Sequence, residues 1–140
     1  MGLGLKLKLI NDNICKRANR DLQELDLTLS QHRTILYLSR CRDYTAELKA
    51  LEREFHVAQA TVAGIAQRLE AKGYVTAMQH PTDKRIKLIR LTQQGLALSQ
   101  SSLERFRRGD AQMVKGMRPE EVQQLVDLLD RVYRNLCGEE

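Results

Sequence analysis

The sequence predicts a mainly α-helical chain with one small β-hairpin. Apolar residues recur at steps of three and four along several segments, which is the spacing of helices that bury one face. Gly73 stands where a helix would stop in a left-handed turn. Two short runs of β-forming residues, within residues 74–91, flank a turn that contains Pro81.

The first two helices are predicted from periodicity and from a cap. A helix over residues 7–25 would place its apolar residues on one face, namely Leu7, Ile10, Ile14, Ala18, Leu22 and Leu25. Thr28 and Gln31 have the spacing of a capping box, in which each side chain binds a free backbone amide. The second helix should therefore begin near Leu29 and end near Arg40.

Two further helices follow with a short break between them. Thr45 is the expected cap of a helix over residues 46–54, and a break at Phe55 and His56 leads to another over residues 57–72. The second of these has apolar residues at helical spacing, namely Val62, Ile65, Ala66 and Leu69. Two helices joined by so tight a turn predict a helix-turn-helix.

The remaining elements complete the predicted architecture. The hairpin pairs residues 74–79 with residues 86–91, Thr92 caps a helix that reaches about Gly109, and Pro119 opens the last helix. The sequence thus predicts a winged helix-turn-helix over residues 28–92 within one domain, 1–140. Helices over residues 5–25 and 93–137 flank it, and we expect them to be dimerisation helices because their apolar stripes exceed what one small core absorbs. The alternative is that they pack on each other within one chain.

Charge and cysteine content favour a polyanionic partner and a reducing compartment. The chain has 23 Lys and Arg against 18 Asp and Glu, and residues 57–92 hold six basic side chains against two acidic ones. Residues 119–140 are acidic instead, with six acidic side chains against two basic ones. Three cysteines without a C-x-x-C pair, and a start that is neither a signal peptide nor a membrane span, predict a cytoplasmic protein with no membrane partner.

Catalysis finds no support in the motifs. The three histidines are isolated, and the sequence has no H-E-x-x-H, G-x-S-x-G or G-x-x-x-x-G-K pattern. We therefore expect no enzyme activity, no metal site and no cofactor.

Three stretches resemble the MarR family of bacterial transcription regulators. They are DKRIKLIRLTQQG at residues 83–95, RLEAKGYV at 68–75 and LTLSQHRTILYL at 27–38, and the resemblance extends over residues 10–137. It implies a homodimer of winged helix-turn-helix subunits, usually a repressor, on a pseudo-palindromic double-stranded DNA operator.

The wing tip is the first candidate DNA contact. Pro81 would hold Lys84 and Arg85 at the end of the hairpin, where a guanidinium can enter the narrow, negative minor groove. Asp83 would pin Arg85 or cap the turn, a role that the resemblance also implies. The alternative is an ordinary solvated pair of charges in a turn.

The helix over residues 57–72 is the second candidate, expected in the major groove. Gln59, Thr61 and Gln67 can hydrogen-bond base edges, and alanines such as Ala60 can touch thymine methyl groups. The backbone phosphates would be bound by basic residues around it, namely Arg68, Lys72, Lys87 and Arg90. Arg68 has the alternative of pairing with Glu70 or Glu52.

The resemblance also implies control by an effector. Many relatives respond to small aromatic acids or phenolic ligands, and the candidate contacts on the first two helices are the polar groups of Arg17, His32, Arg33 and Tyr37. The alternative for each is an ordinary surface or interhelix contact. Some relatives sense oxidants through an N-terminal cysteine, here Cys15, whose alternative role is that of a small buried apolar residue.

A rival function comes from another class of protein. The face of alanines and glycine over residues 58–64 also suits close packing against a protein. The rival is therefore a winged-helix protein-interaction module with little specific DNA recognition.

Overall fold

The computed structural model describes residues 1–138 and divides into two compact units, Met1–Gln100 and a second that starts at Ser101. Glu139 and Glu140, the end of the acidic C-terminal segment, lie outside the described residues. In chain order the elements are α1 (Leu3–Glu24), α2 (Leu29–Arg40), a 3-10 turn (Arg42–Tyr44), β1 (Thr45–Glu47), α3 (Leu48–Phe55), α4 (Gln59–Ala71), β2 (Val75–Gln79), β3 (Lys87–Leu91), α5 (Gln93–Met113) and α6 (Pro119–Cys137). The predicted class, mainly helical with a small wing, is confirmed.

Local capping sets the start of α2 as the sequence predicts. The Thr28 hydroxyl accepts a hydrogen bond from the Gln31 amide at 3.2 Å, and the Gln31 side chain accepts one from the Thr28 amide at 3.2 Å. A cap of this kind contributes about 1 kcal/mol. The helix therefore begins at Leu29, where the spacing places it.

The prediction for Thr45 was wrong. Residues Thr45–Glu47 form β1, which pairs antiparallel with β3, and α3 begins only at Leu48. The Thr45 hydroxyl donates to the Asp43 carbonyl oxygen at 2.8 Å instead of capping the helix. The sheet therefore has three strands in the order β1-β3-β2, because β1 satisfies the backbone groups on the other side of β3.

Other helix bounds differ by a few residues from the predictions. α1 begins at Leu3 instead of Leu7, α4 begins at Gln59 instead of Val57, and α5 continues to Met113. Periodicity locates a helix better than it locates the ends, since terminal turns carry few buried residues.

The core of the first unit lies between the helices and the sheet. Its most deeply buried side chains come from α2, α3, α4 and β3, namely Ile35, Leu38, Leu51, Leu69 and Ile89. Each buried side chain of this size contributes about 1.5–3 kcal/mol. The core thus fixes α4 and the wing on a common base.

The end of α4 is a Schellman motif at Gly73. Gly73 has φ +83°, its amide donates to the Glu70 carbonyl oxygen at 2.9 Å, and the Tyr74 amide donates to the Leu69 carbonyl oxygen at 3.0 Å. The chain turns there from α4 into β2, as the sequence predicts.

The two terminal helices keep their apolar stripes exposed. Neither α1 nor α6 has a buried residue. In α6 the exposed apolar side chains are Leu125, Val126, Leu128, Leu129, Tyr133 and Leu136, and in α1 they are Leu3, Leu5, Leu9, Ile10 and Ile14.

Candidate nucleic-acid interface

The helix-turn-helix consists of α3 and α4. His56 ends α3 in the left-handed conformation, with φ 53°, and the Val57 amide donates to the Glu52 carbonyl oxygen at 3.2 Å. α4 then buries one face through Val62, Ala66 and Leu69. Its exposed residues include the predicted base-reading and phosphate-binding side chains, namely Gln59, Ala60, Thr61, Gln67 and Arg68.

The tip of the wing is an ordered loop built around His80. The His80 amide donates to the Ile86 carbonyl oxygen at 3.0 Å, which closes the loop. The Nδ1 atom of His80 accepts from the amides of Thr82 and Asp83, each at 3.2 Å. The ring nitrogen of His80 therefore holds the turn in place.

Asp83 holds the guanidinium of Arg85. The Nε and Nη2 atoms of Arg85 donate to the two carboxylate oxygens at 3.1 and 3.2 Å, and the Arg85 amide donates to Oδ1 at 3.0 Å. The guanidinium bonds, and then the amide bond, lower the pKa of Asp83 below its ordinary value. The Arg85 side chain stays 91% exposed. Its guanidinium group is therefore held in one orientation by Asp83 and can still bind a ligand. Lys84 and Lys87 are exposed on the same arm.

Two cations expected at phosphates also bind groups within the domain. Lys72 donates to the Asp26 carbonyl oxygen and, at 3.1 Å, to the Gln31 side-chain oxygen. Arg90 donates to Asp43 Oδ2 and to Thr45 Oγ1, both at 3.0 Å. These contacts stabilise the loop after α1 and the corner before β1.

A groove separates α3 and α4 from the wing. It contains two cavities of about 390 and 510 Å³ that share Leu48, Ala63 and Lys87 as lining residues. Glu47, Glu52 and Arg85 line the first cavity, and Glu70 lines the second. Sequence reasoning missed the contribution of β1 and α3, because a three-residue strand carries no periodic signal.

Two of the four predicted effector residues, Arg33 and Tyr37, contact Phe55 of α3. Arg33 lies over the Phe55 ring at 5.1 Å, and Tyr37 meets the same ring edge-on with centroids 6.0 Å apart. His32 is buried, and desolvation lowers its pKa. Arg17 is half-exposed on α1. Of the four residues, the structure thus brings Arg33 and Tyr37 together around Phe55.

The cysteines differ in environment. Cys15 is exposed rather than buried, so the alternative role expected for it was wrong for the single chain. Cys41 donates to the Tyr37 carbonyl oxygen at 3.3 Å, and burial raises the pKa of its thiol. Among residues 1–138, no group of His, Cys, Asp or Glu side chains is arranged to hold a metal ion, and no helix is both long and apolar enough to cross a membrane.

Comparison with known proteins agrees with the resemblance. The MarR family model matches residues 25–86. The regulator MarR of Salmonella typhimurium, a multiple antibiotic resistance protein, is 25% identical over 131 residues, which cover 93% of this chain and 90% of that protein. Over these residues the chain is similar to the MarR family.

A second relative of this chain is the HTH-type transcriptional regulator YdgJ of Bacillus subtilis. It is 34% identical over 86 residues, which cover 61% of this chain and about half (52%) of the relative. Both relatives are regulators by description, in agreement with the prediction that the chain is not an enzyme.

Solved MarR-like structures share the fold. A single-residue mutant of S. aureus MepR superposes with a TM-score of 0.87 at 21% identity, covering 97% of this chain and 99% of MepR. The MepR–DNA complex gives 0.80 at 22% identity, covering 92% and 96%. MepR bound to ethidium gives 0.78 at 21% identity, covering 97% of both chains.

The Leu-Thr-x-x-Gly sequence that carries the MarR resemblance has a clear structural basis. The Thr92 hydroxyl donates to the Gly73 carbonyl oxygen at 2.7 Å and accepts from the Gly95 amide at 3.1 Å. A Cβ atom at Gly95 would overlap the Tyr74 carbonyl oxygen and lie 2.9 Å from Leu91 Cδ2. The motif thus packs the start of α5 against the junction of α4 and β2.

Proposed function

We propose that this chain is a homodimeric, sequence-specific DNA-binding regulator of the MarR family, a repressor released by a small ligand or an oxidant. The observation that carries the proposal is the arrangement of an exposed α4 face beside a wing whose Arg85 is held, exposed, by Asp83. Oriented guanidinium donors and glutamine side chains suit phosphate and base contacts. The MepR–DNA complex, a related fold, supports the same partner.

In this proposal each part of the interface has its own role. Gln59, Thr61 and Gln67 bind base edges, Ala60 contacts thymine methyl groups, and Arg68 and Lys87 bind phosphates. Lys84 and Arg85 contact the minor groove beside the wing, with Asp83 orienting the arginine. Two copies would place two α4 helices in successive major grooves of a pseudo-palindromic operator.

Dimerisation is supported by the exposed apolar stripes of the terminal helices. α1 and α6 expose many large apolar side chains, of which Leu136 is 80% exposed and Leu3 is 64% exposed. Apolar surface of this extent is commonly covered by a second copy. Sedimentation should therefore give twice the chain mass of 16.1 kDa.

The effector is a small aromatic or phenolic compound, and Arg17, His32, Arg33 and Tyr37 are its proposed contacts. MepR, which shares the fold, binds the aromatic cation ethidium. Cys15, exposed on α1, is the proposed oxidant-sensitive residue of this cytoplasmic regulator. Release of a bound duplex by benzoate, or by peroxide in wild type and not in Cys15→Ser, would separate the two signals.

The deciding experiment is fluorescence anisotropy with a duplex from the upstream region of the encoding gene and a scrambled duplex at several salt concentrations. Arg85→Ala should weaken binding to both duplexes and reduce the salt slope by about one. Gln59→Ala should mainly reduce the preference for the upstream duplex. Arg131→Ala, an exposed arginine of α6, is the matched control.

Three results would contradict this proposal. Unchanged affinity in Arg85→Ala would refute the role of the wing, and equal weak binding to both duplexes would refute specific recognition. No binding at low salt, together with binding to a partner protein, would favour the interaction module instead.

A further inference from the structure

The wing has a free edge that faces α4. In the order β1-β3-β2, β2 pairs with β3 on one side only. On its other side the Ala77 amide donates to Glu70 Oε2 at 2.7 Å. A charged acceptor makes a strong hydrogen bond to a backbone amide, so one side chain of α4 binds the wing directly.

This contact closes a ring around the turn at Gly73. Glu70 lies in the last turn of α4, three residues before Gly73, and Ala77 lies four residues after it. Glycine has the greatest backbone freedom of any residue, so the angle between α4 and β2 is most easily changed there. The bond from residue 77 to residue 70 restrains that angle.

The opposite side of the sheet is restrained separately. Arg90 of β3 binds Asp43 and Thr45, so that side is tied to the corner after α2 and not to α4. The Glu70 bond is therefore placed to set the distance between the exposed face of α4 and the wing tip at Arg85.

We propose that Glu70 is a positioning residue for DNA recognition, which holds the wing at the separation from α4 that lets both reach one duplex. This inference rests on the proposed function. A carboxylate in a region of six basic and two acidic residues would otherwise lower the affinity for phosphate. Removing the Glu70 carboxylate should therefore weaken DNA binding if it positions the wing, and strengthen DNA binding if it only repels phosphate.

The test is a double-mutant cycle of Glu70→Ala and Arg85→Ala, with duplex affinity as the measurement. Glu70→Ala should weaken binding about threefold to tenfold, and Arg85→Ala should then have less than about a twofold further effect. Glu70→Gln should restore most of the affinity, because an amide oxygen still accepts from Ala77. Glu120→Ala on α6 removes the same charge outside the winged helix and should change little.

Exchange of the Ala77 amide with solvent, measured by NMR on the DNA-free protein, tests the restraint itself. It should be on the order of tenfold faster in Glu70→Ala and nearly unchanged in Glu70→Gln. Unchanged exchange in Glu70→Ala would overturn the restraint even if the protein binds DNA.

Two affinity results would overturn the positioning role. Tighter binding by both Glu70 variants would mean that the carboxylate only repels phosphate, and effects of Glu70→Ala and Arg85→Ala that multiply would mean that the two residues act independently. No duplex binding by the wild type would overturn the proposed function and this inference together, whatever the exchange of Ala77 shows.

Discussion

A methyl group added at Gly64 should stabilise this protein. Gly64 lies inside α4, where glycine costs about 0.5–1 kcal/mol relative to alanine because the unfolded chain loses more freedom. A Cβ atom built there meets no atom within 4 Å, so no clash offsets the gain. Gly64→Ala should therefore raise the free energy of unfolding by about that amount, and the melting temperature by about 3 °C.

Gly95→Ala is the matched comparison, since it makes the same chemical change in another helix. Its Cβ atom would overlap the backbone oxygen of Tyr74 and crowd Leu91, and overpacking of this kind costs about 1–3 kcal/mol. The variant should therefore melt lower, although alanine has the better helix propensity. Thermal unfolding followed by circular dichroism measures both. A lower melting temperature in Gly64→Ala, or a higher one in Gly95→Ala, would refute the reasoning.

Two further predictions concern α2. Thr28→Ala removes the capping hydrogen bond to the Gln31 amide and should lower the free energy of unfolding by about 1 kcal/mol in urea denaturation, whereas Thr28→Ser should not. Burial lowers the pKa of His32, so below about pH 6.5 the unfolded state binds a proton that the folded state resists. The free energy of unfolding should therefore fall as the pH falls below about 6.5, and it should fall less steeply in His32→Gln. Equal pH dependence in the two proteins would contradict this.

The sequence predicts the parts of the fold that depend on near neighbours. The Thr28 capping box spans three residues, Gly73 acts through the turn that ends α4, and the Gly95 amide donates to the Thr92 hydroxyl three residues before it. The interactions that sequence reasoning missed join distant positions. Arg90 binds Asp43 across 47 positions and Lys72 binds Asp26 across 46, so both looked like free phosphate ligands.

The error at Thr45 has a related cause. A three-residue strand has too few positions to show alternation, and what makes it a strand is the presence of β3, whose Arg90 lies opposite Thr45. The candidate site was predictable where charge and turn chemistry are local, as at Asp83 and Arg85. The link from Glu70 to the wing depends on a folded junction and carried no signal in the sequence.

The Asp83–Arg85 pair also has a consequence for kinetics. The two opposite charges nearly cancel at a distance, so the pair adds little to the long-range attraction that speeds encounter with a polyanion. Because Asp83 already orients the Arg85 guanidinium, this side chain loses little conformational freedom when it binds a ligand. In the proposed complex with DNA, we therefore expect this pair to affect how long the complex lasts. We expect exposed lysines such as Lys84 and Lys87 to affect how fast it forms.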